Sequence, residues 1–450
     1  MGRGGSRGPA VNTSVTFPLE GWTMSWRTVR QPLGKGATAT VIEDGRMQTV
    51  TLRALWLLPL RRQDATRAAL LPMVLRRGTM SHPDTASLRR QLQEMYGARL
   101  GAGVAKVGDV QVMRVGIRLP APELIPQGEA VLRRAIDLLQ ELVLEPATEG
   151  GQLRSQYVEE EKSQLRRRIE SLIDDRIRYS LVRCVEEVCR GEGYAVREFG
   201  YLEDLDAVDA AELSTFHQRA LREGHLHLYA VGRLDPDAVL RQLSRSFGDF
   251  SGGQAALPRQ EPSPVEEGVR RVSETLQDIG QVKLTVGYKT ASCWRDPEMP
   301  WLLLADGVLG AFPTSRLFQK IREERSLAYY VMTSGEWNKG LLFVMSGASP
   351  QQVPVVEQIM QQELEALASR PPEVEELQTA KRLLRDALHG KSDEPAQLAS
   401  LDLEWQLAGA PWTLEKLLDA LEAAGPQDVM EAAGRIRPQV VFLLTPERQG

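Results

Sequence analysis

Two kinds of hydrophobic pattern alternate along the chain, and they occur in the same order in its two halves. Apolar runs and alternating positions bounded by turn residues predict strands. Apolar residues at helical spacing, such as Val131, Ala135 and Leu138, predict helices. The predicted strands of the first half are residues 37–42, 48–58, 110–118 and 225–232, and those of the second half are 281–288, 341–347 and 439–444.

Helical segments separate these strands. They are predicted at residues 65–77, 85–96, 129–144, 151–190, 212–223 and 236–247, and again at 300–309, 315–324, 354–367 and 373–390. Helices need an apolar surface to cover, and the turn at residues 43–45 (Glu-Asp-Gly) is typical of an antiparallel hairpin. We therefore predict an α+β fold of two duplicated domains, each a mostly antiparallel sheet with helices packed on one face.

Composition indicates where the domains end. Gly, Pro, Ser and Glu dominate residues 251–268, which leaves little to bury and predicts an extended linker. The Gly- and Arg-rich opening predicts a disordered arm over residues 1–20. We therefore place an N-terminal domain at residues 21–250 and a C-terminal domain at residues 269–450.

Charge and cysteine content narrow the class of protein. Of the 450 residues, 42% are hydrophobic and 26% are charged, which are values of a globular protein. The net charge of −5 argues against nucleic-acid binding. No apolar run reaches the roughly 18 residues of a membrane span. Three cysteines provide no disulfide framework and suit a reducing compartment, so we expect the protein to be cytoplasmic.

The run at residues 315–329 is the most specific motif of the chain. It begins Ser-Arg-Leu-Phe and contains Arg322 and, seven positions later, Tyr329. It resembles the substrate-gripping segment of the pitrilysin/insulinase family of clamshell zinc peptidases, and the resemblance implies that Arg322 and Tyr329 hold a peptide substrate. An arginine presents a fork of donors to a carbonyl or carboxylate, and a tyrosine adds an apolar ring with one hydroxyl. The alternative interpretation is an amphipathic helix with surface charges and one half-buried tyrosine.

The resemblance also identifies what this chain lacks. Active family members carry His-x-x-Glu-His on a helix before a Gly-Thr pair, where the two His bind zinc and the Glu is the general base. Alignment on Gly78 and Thr79 puts Ala69 and Met73 at the two His positions and Pro72 at the Glu position. Alanine has no donor atom, a thioether is a poor zinc ligand beside imidazole, and proline takes no proton from water.

The third zinc ligand of the family is a Glu on a later helix, seven residues after another Glu. Counting seven residues from Glu161 reaches Arg168, and Glu170 is the alternative equivalent. A positive side chain at this place, beside two non-ligands, does not make a zinc site. The other interpretation of these charges is an ordinary solvated helix face.

His225 and His227 offer a separate metal hypothesis. Residues i and i+2 of a strand share a face, so the two rings can chelate a metal, with His217 or Glu223 as a third ligand. Alternation on a half-exposed strand explains the pair equally well.

Taken with the missing motif, the resemblance implies a non-catalytic, substrate-binding subunit of a heterodimeric zinc peptidase. No cofactor is expected in this chain, and the zinc is expected on a sister subunit that carries His-x-x-Glu-His. The alternative is an inactive peptide-binding or structural scaffold that acts as a homodimer without a peptidase partner.

Overall fold

A computed structural model gives the fold, and it describes residues 11–14, 26–277 and 279–447. This part of the chain divides into two compact units. The first unit comprises the described residues up to 170 together with 197–258 and 393–399, and the second comprises 171–196, 259–392 and the residues from 400 onward.

The described strands of the first unit form one large sheet and one short pair. The sheet has the order β1-β2-β3-β9-β4-β6-β5, in which only the β3–β9 pair is parallel. Its strands are β1 (Val11–Ser14), β2 (Trp26–Leu33), β3 (Ala37–Asp44), β4 (Thr49–Pro59), β5 (Arg99–Val107), β6 (Val110–Pro120) and β9 (His225–Gly232). The pair is β7 (Thr148–Glu149) and β8 (Gln152–Leu153).

Helices of the first unit cover the sheet with apolar side chains such as Leu138 and Leu142 of α3, which are buried. The helices are α1 (Arg62–Leu75), α2 (Thr85–Glu94), α3 (Gly128–Leu144), α4 (Ser155–Glu170), α6 (Leu202–Leu205), α7 (Ala210–Glu223) and α8 (Pro236–Phe247). Asp84 begins α2 by accepting hydrogen bonds from the backbone of Ala86 and Ser87, as an N-cap residue does.

The second unit contains a five-stranded sheet of order β10-β14-β11-β13-β12 among its described strands, with only β10–β14 parallel. The strands are β10 (Arg270–Leu276), β11 (Val282–Lys289), β12 (Ala328–Glu336), β13 (Leu341–Ala348) and β14 (Arg437–Pro446). Its helices are α5 (Arg176–Val188), α9 (Met299–Asp306), α10 (Val353–Ser369), α11 (Val374–Ser392), α13 (Leu414–Ala423) and α14 (Pro426–Ala433), and α12 (Pro395–Ala408) begins in the first unit and ends in the second.

The two sheets share one topology. In chain order, β3, β4, β5, β6 and β9 correspond to β10, β11, β12, β13 and β14, and each set has the same neighbours and the same single parallel pair. The predicted α+β fold with a duplicated, mostly antiparallel sheet is therefore confirmed.

The predicted helix at residues 151–190 is two helices, and they belong to different units. Helix α5 buries Cys184 and Val188 against the β13 and β14 side chains Phe343 and Phe442. A Cβ on Gly287 of β11 would lie 2.4 Å from the Val188 Cγ2 atom, so glycine permits this close approach. Residues 171–196 thus lie in the second unit, whereas the sequence placed them in the domain 21–250.

The predicted linker and arm also differ from expectation where they are described. Ser263 is buried, its backbone N–H donates to Lys339, and its hydroxyl donates to Glu192 at 2.7 Å, so this part of residues 251–268 packs into the second unit. In the predicted arm, Val11–Ser14 form a strand on the edge of β2, because an unpaired edge offers free backbone partners. The rest of the arm, residues 1–10 and 15–20, lies outside the described residues.

Candidate functional site

Arg322 and Tyr329 lie on consecutive elements of the second unit. Arg322 belongs to a π-helical segment, Phe318–Glu324, and Tyr329 is the second residue of β12, which follows directly. The guanidinium of Arg322 lies over the Phe318 ring, 4.9 Å from its centroid, and its nearest carboxylate is Glu323 at 3.9 Å. The Arg322 side chain is 47% exposed, so its donors are available to a ligand.

Tyr329 is exposed because of an irregularity in β12. Ala328 pairs with Ala348 of β13 and Tyr330 pairs with Gly347, so Tyr329 is the extra residue of a β-bulge. A bulge re-aims the extra side chain, and Tyr329 is 77% exposed. Strand β12 is also the last strand in the order of the described sheet, so its outer edge has no described strand beside it.

The elements around β12 are held close by a glycine. A Cβ on Gly310, in the π-helical segment Gly307–Ala311, would lie 2.4 Å from the Thr333 Cγ2 atom of β12. Only a residue without a side chain allows this packing. The strand that displays Tyr329 is thereby supported from the side of α9, which precedes this segment.

The positions aligned with the zinc motif lie on α1. Ala69 and Pro72 are buried, and Met73 is half-buried. Pro72 is inside the helix, where it lacks the N–H of a backbone hydrogen bond. These three side chains contain no imidazole and no carboxylate, so the aligned positions offer a metal only the thioether of Met73.

Helix α4 packs against α1 and holds the remaining aligned positions. Glu161 is 1% exposed and is paired at 3.3 Å with the half-buried Arg77, which lies two residues after the end of α1, and the sequence did not reveal this ion pair. Arg168 and Glu170 are both exposed. Burial lowers the pKa of Arg114 on β6, and the positive charge of Arg168 lowers it further. The alternatives Arg168 and Glu170 both stay predictions.

Two of the candidate histidines bond to backbone carbonyls. His225 Nε2 bonds the carbonyl of Ala255 at 2.8 Å, and His217 Nε2 bonds the carbonyl of Val143 at 2.9 Å. Burial, with the charges of His225 and Arg30, lowers the pKa of His227 to about 4. Among the described residues, no group of three or more His, Cys, Asp or Glu side chains is placed to hold a metal ion.

No helix among the described residues is both long enough and apolar enough to cross a membrane.

Comparison with known proteins identifies the family of this chain. Residues 207–384 match the family described as Peptidase M16 inactive domain. The probable inactive metalloprotease YmfF of Bacillus subtilis is 32% identical over 411 residues, which are 91% of this chain and 96% of that protein. The chain belongs to the M16 family of peptidases, the pitrilysin/insulinase family, as its sequence motifs predict.

Two further similarities bear on the fold and on the family's chemistry. A conserved protein from Enterococcus faecalis superposes with a TM-score of 0.85 over 94% of this chain and 99% of its own, at 23% identity, which shows a shared fold. An uncharacterized zinc protease of Streptomyces coelicolor is 29% identical over 247 residues, about half of each chain (52% of both). The family therefore includes proteins described as zinc proteases and proteins described as inactive.

Proposed function

We propose that this chain is the non-catalytic, substrate-binding subunit of a heterodimeric zinc peptidase of the cytoplasm. Arg322 and Tyr329 hold the peptide, and a sister subunit with His-x-x-Glu-His supplies the zinc and the general base. This chain itself carries no zinc.

The observation that carries the proposal is the bulge at Tyr329. A buried or paired tyrosine would be structural, but this ring is turned outward from an edge strand, one element after an exposed arginine. An extended peptide binds an edge strand through backbone hydrogen bonds, which do not depend on peptide sequence. Arg322 and the Tyr329 hydroxyl then each donate a hydrogen bond to a peptide carbonyl.

The segment around Arg322 supports the same role. π-helical segments occur often at functional sites, and here one replaces the regular helix predicted at residues 315–324. The segment ends at Glu324; Ser326, two residues later, has a positive φ of 48°, and the backbone N–H of Leu327 donates to the carbonyl of Ile321. The Ser326 conformation and this hydrogen bond define the path of the chain between the π-helical segment and β12.

The chemistry of α1 supports the non-catalytic part of the proposal. An alanine, a proline and a methionine at positions 69, 72 and 73 provide no water-activating base. A peptidase built from this chain needs the metal and the base from elsewhere, and a sister subunit is the simplest source.

The test is cleavage by the reconstituted pair of subunits. Arg322→Gln and Tyr329→Phe should each lower kcat/KM, the arginine change by about 10-fold or more, because a hydrogen bond to a charged donor contributes roughly 1.5–3 kcal/mol. Arg325→Gln and Tyr330→Phe are matched controls, since Arg325 is an exposed neighbour and Tyr330 is half-buried on the same strand. Equal activity of all four variants would contradict the assigned roles.

A second measurement tests the assembly. The chain, purified from its native cells, should bring down a protein that carries His-x-x-Glu-His, detected by mass spectrometry. Recovery of the chain as a homodimer alone would instead favour the scaffold interpretation.

A further inference from the structure

Four arginines of the described first unit surround one cavity on the face of its sheet. The cavity has a volume of about 300 Å³ and is lined by Arg53, Arg99, Arg114 and Arg118, with Glu394 and Ala396 on one side. We call it the arginine cavity. Its described lining carries four positive charges and one negative charge, although the whole chain has a net charge of −5.

The strand register explains how these arginines come together. Residues two apart on a strand share a face, so Arg114, Gly116 and Arg118 of β6 lie in one row. Across that row, Arg118 is opposite Arg99 of β5, and Gly116 is opposite Arg53 of β4. Like charges directly opposite each other destabilise a sheet, so nearby anions stabilise the Arg99–Arg118 pair, and Glu394 is one of them.

Glycines form the floor of the arginine cavity. Gly101 of β5 lies opposite Gly116 of β6, and a Cβ built on Gly101 meets no atom within 4 Å. Two residues further along β5, on the same face, a Cβ on Gly103 would lie 3.3 Å from the Arg114 Nε atom, so the Arg114 side chain lies over that glycine. The space above Gly101 is therefore open and is bordered by guanidinium groups.

Two of the arginines have partners at the edge of the cavity formed by Glu394 and Ala396. Arg118 pairs with Glu394 at 3.1 Å, and Arg53 donates to the carbonyl of Ala396 at 2.8 Å. Burial and the charge of Arg114 lower the pKa of Arg53 to about 10, which is the direction expected where cations are crowded together. The single carboxylate in the described lining does not balance this charge.

We propose that the arginine cavity binds carboxylate groups of an acidic peptide. A guanidinium fork matches a carboxylate with two parallel hydrogen bonds, and Arg114 and Arg99 border the open space above Gly101. That the carboxylate belongs to a peptide rests on the proposed function, whereas the preference for an anion rests on the cavity alone. A peptide segment that occupies this cavity should therefore carry aspartate or glutamate side chains.

The test is direct binding to the full chain without a partner, measured by fluorescence anisotropy. The probes are two fluorescein-labelled peptides of equal length, one with glutamate and one with glutamine at alternate positions. The glutamate peptide should bind at least about tenfold more tightly than the glutamine peptide, and added salt should reduce that difference. Equal binding of the two peptides would overturn the proposal.

Two variants locate the binding by different routes. Arg114→Gln removes a charge, and Gly101→Val fills the open space without changing any charge. Each should weaken binding of the glutamate peptide about tenfold or more, which corresponds to one charged hydrogen bond or one excluded group. Arg89→Gln, on the exposed face of α2 and outside the cavity lining, is the matched control and should bind as the unchanged chain does.

Two outcomes separate this proposal from its alternatives. Preference for the glutamate peptide that persists in Arg322→Gln and is lost in Arg114→Gln supports the arginine cavity even if the cleavage test fails. Inorganic phosphate that displaces the glutamate peptide at a concentration far below that of acetate would assign the cavity to phosphate and overturn the peptide carboxylate.

Discussion

Glu192 connects three parts of the second unit, and removing its charge should destabilise that unit strongly. Its carboxylate is 3.3 Å from the Lys289 Nζ atom and 3.3 Å from the Lys339 Nζ atom, and it accepts from the Ser263 hydroxyl at 2.7 Å. The Lys289 side chain is completely buried. Glu192→Gln keeps the shape of the side chain but leaves both lysines without their shared carboxylate.

The expected magnitude follows from the burial of Lys289. Breaking a buried ion pair costs roughly 3–5 kcal/mol, because the remaining charge is buried without compensation. Glu266 stays 3.4 Å from the Lys289 Nζ atom and is half-exposed, so we expect the lower end, about 3 kcal/mol. This change should accelerate native-state hydrogen exchange of β11 on the order of 100-fold.

Hydrogen exchange detected by mass spectrometry measures the exchange rate of the β11 amides directly. Amides of β4, in the other unit, serve as an internal reference. The control variant is Glu422→Gln, whose pair with Arg385 is exposed and should contribute less than about 1 kcal/mol. If Glu192→Gln accelerated exchange of β11 no more than Glu422→Gln does, the buried-pair reasoning would be refuted.

The stability that Glu192 and its two lysines contribute depends on pH. Burial opposes ionisation of Glu192, but the Ser263 hydroxyl and the two lysines outweigh it and hold the pKa of Glu192 below its ordinary value. A carboxylate with a lowered folded pKa contributes stability above its unfolded pKa and loses it as the pH falls through the folded value. The difference between the unchanged chain and Glu192→Gln should therefore shrink in acid.

Three further predictions concern other sites. Burial and the nearby Glu336 raise the pKa of Glu404 to about 7, so the stability that the protonated carboxyl contributes is lost as the pH rises through that value. Glu404→Gln should therefore be more stable than the unchanged chain at pH 8, by on the order of 3 kcal/mol in urea unfolding. The same pH dependence of stability in both proteins would contradict this reasoning. Gly287→Ala should destabilise the second unit by about 1–3 kcal/mol, because the alanine Cβ would clash with the Val188 side chain. An unchanged free energy of unfolding would show that α5 moves to relieve the clash at no cost. The chain purified alone should contain no stoichiometric zinc by elemental analysis and should cleave no peptide, and one tightly bound zinc per chain would refute its non-catalytic role.

Several elements could be read from the sequence because their signals are local. The buried strands β4, β6 and β9 are apolar or alternating runs, and they were predicted within a few residues of their bounds. Strands β2, β5 and β12 were not predicted, since each lies toward a sheet edge and is only partly buried. Their pattern of burial depends on neighbours that a single stretch of sequence does not contain.

The family and the altered zinc motif are recognised from short, contiguous runs of residues. The sequence by itself therefore determined both. Residue types at positions 69, 72 and 73 decide whether a water-activating base is present, whatever the fold does around them. The spacing of Arg322 and Tyr329 is likewise a property of the chain, because both lie within one motif.

Only the tertiary structure decided what surrounds these residues. The bulge that turns Tyr329 outward exists because Ala328 and Tyr330 pair with consecutive residues of β13, and such a pairing involves two distant stretches of chain. The arginine cavity arises in the same way, since Arg53, Arg99 and Arg114 come from three strands and meet only through their register. Contacts between residues far apart in sequence depend on how the sheet is assembled, so no local pattern could have shown either feature.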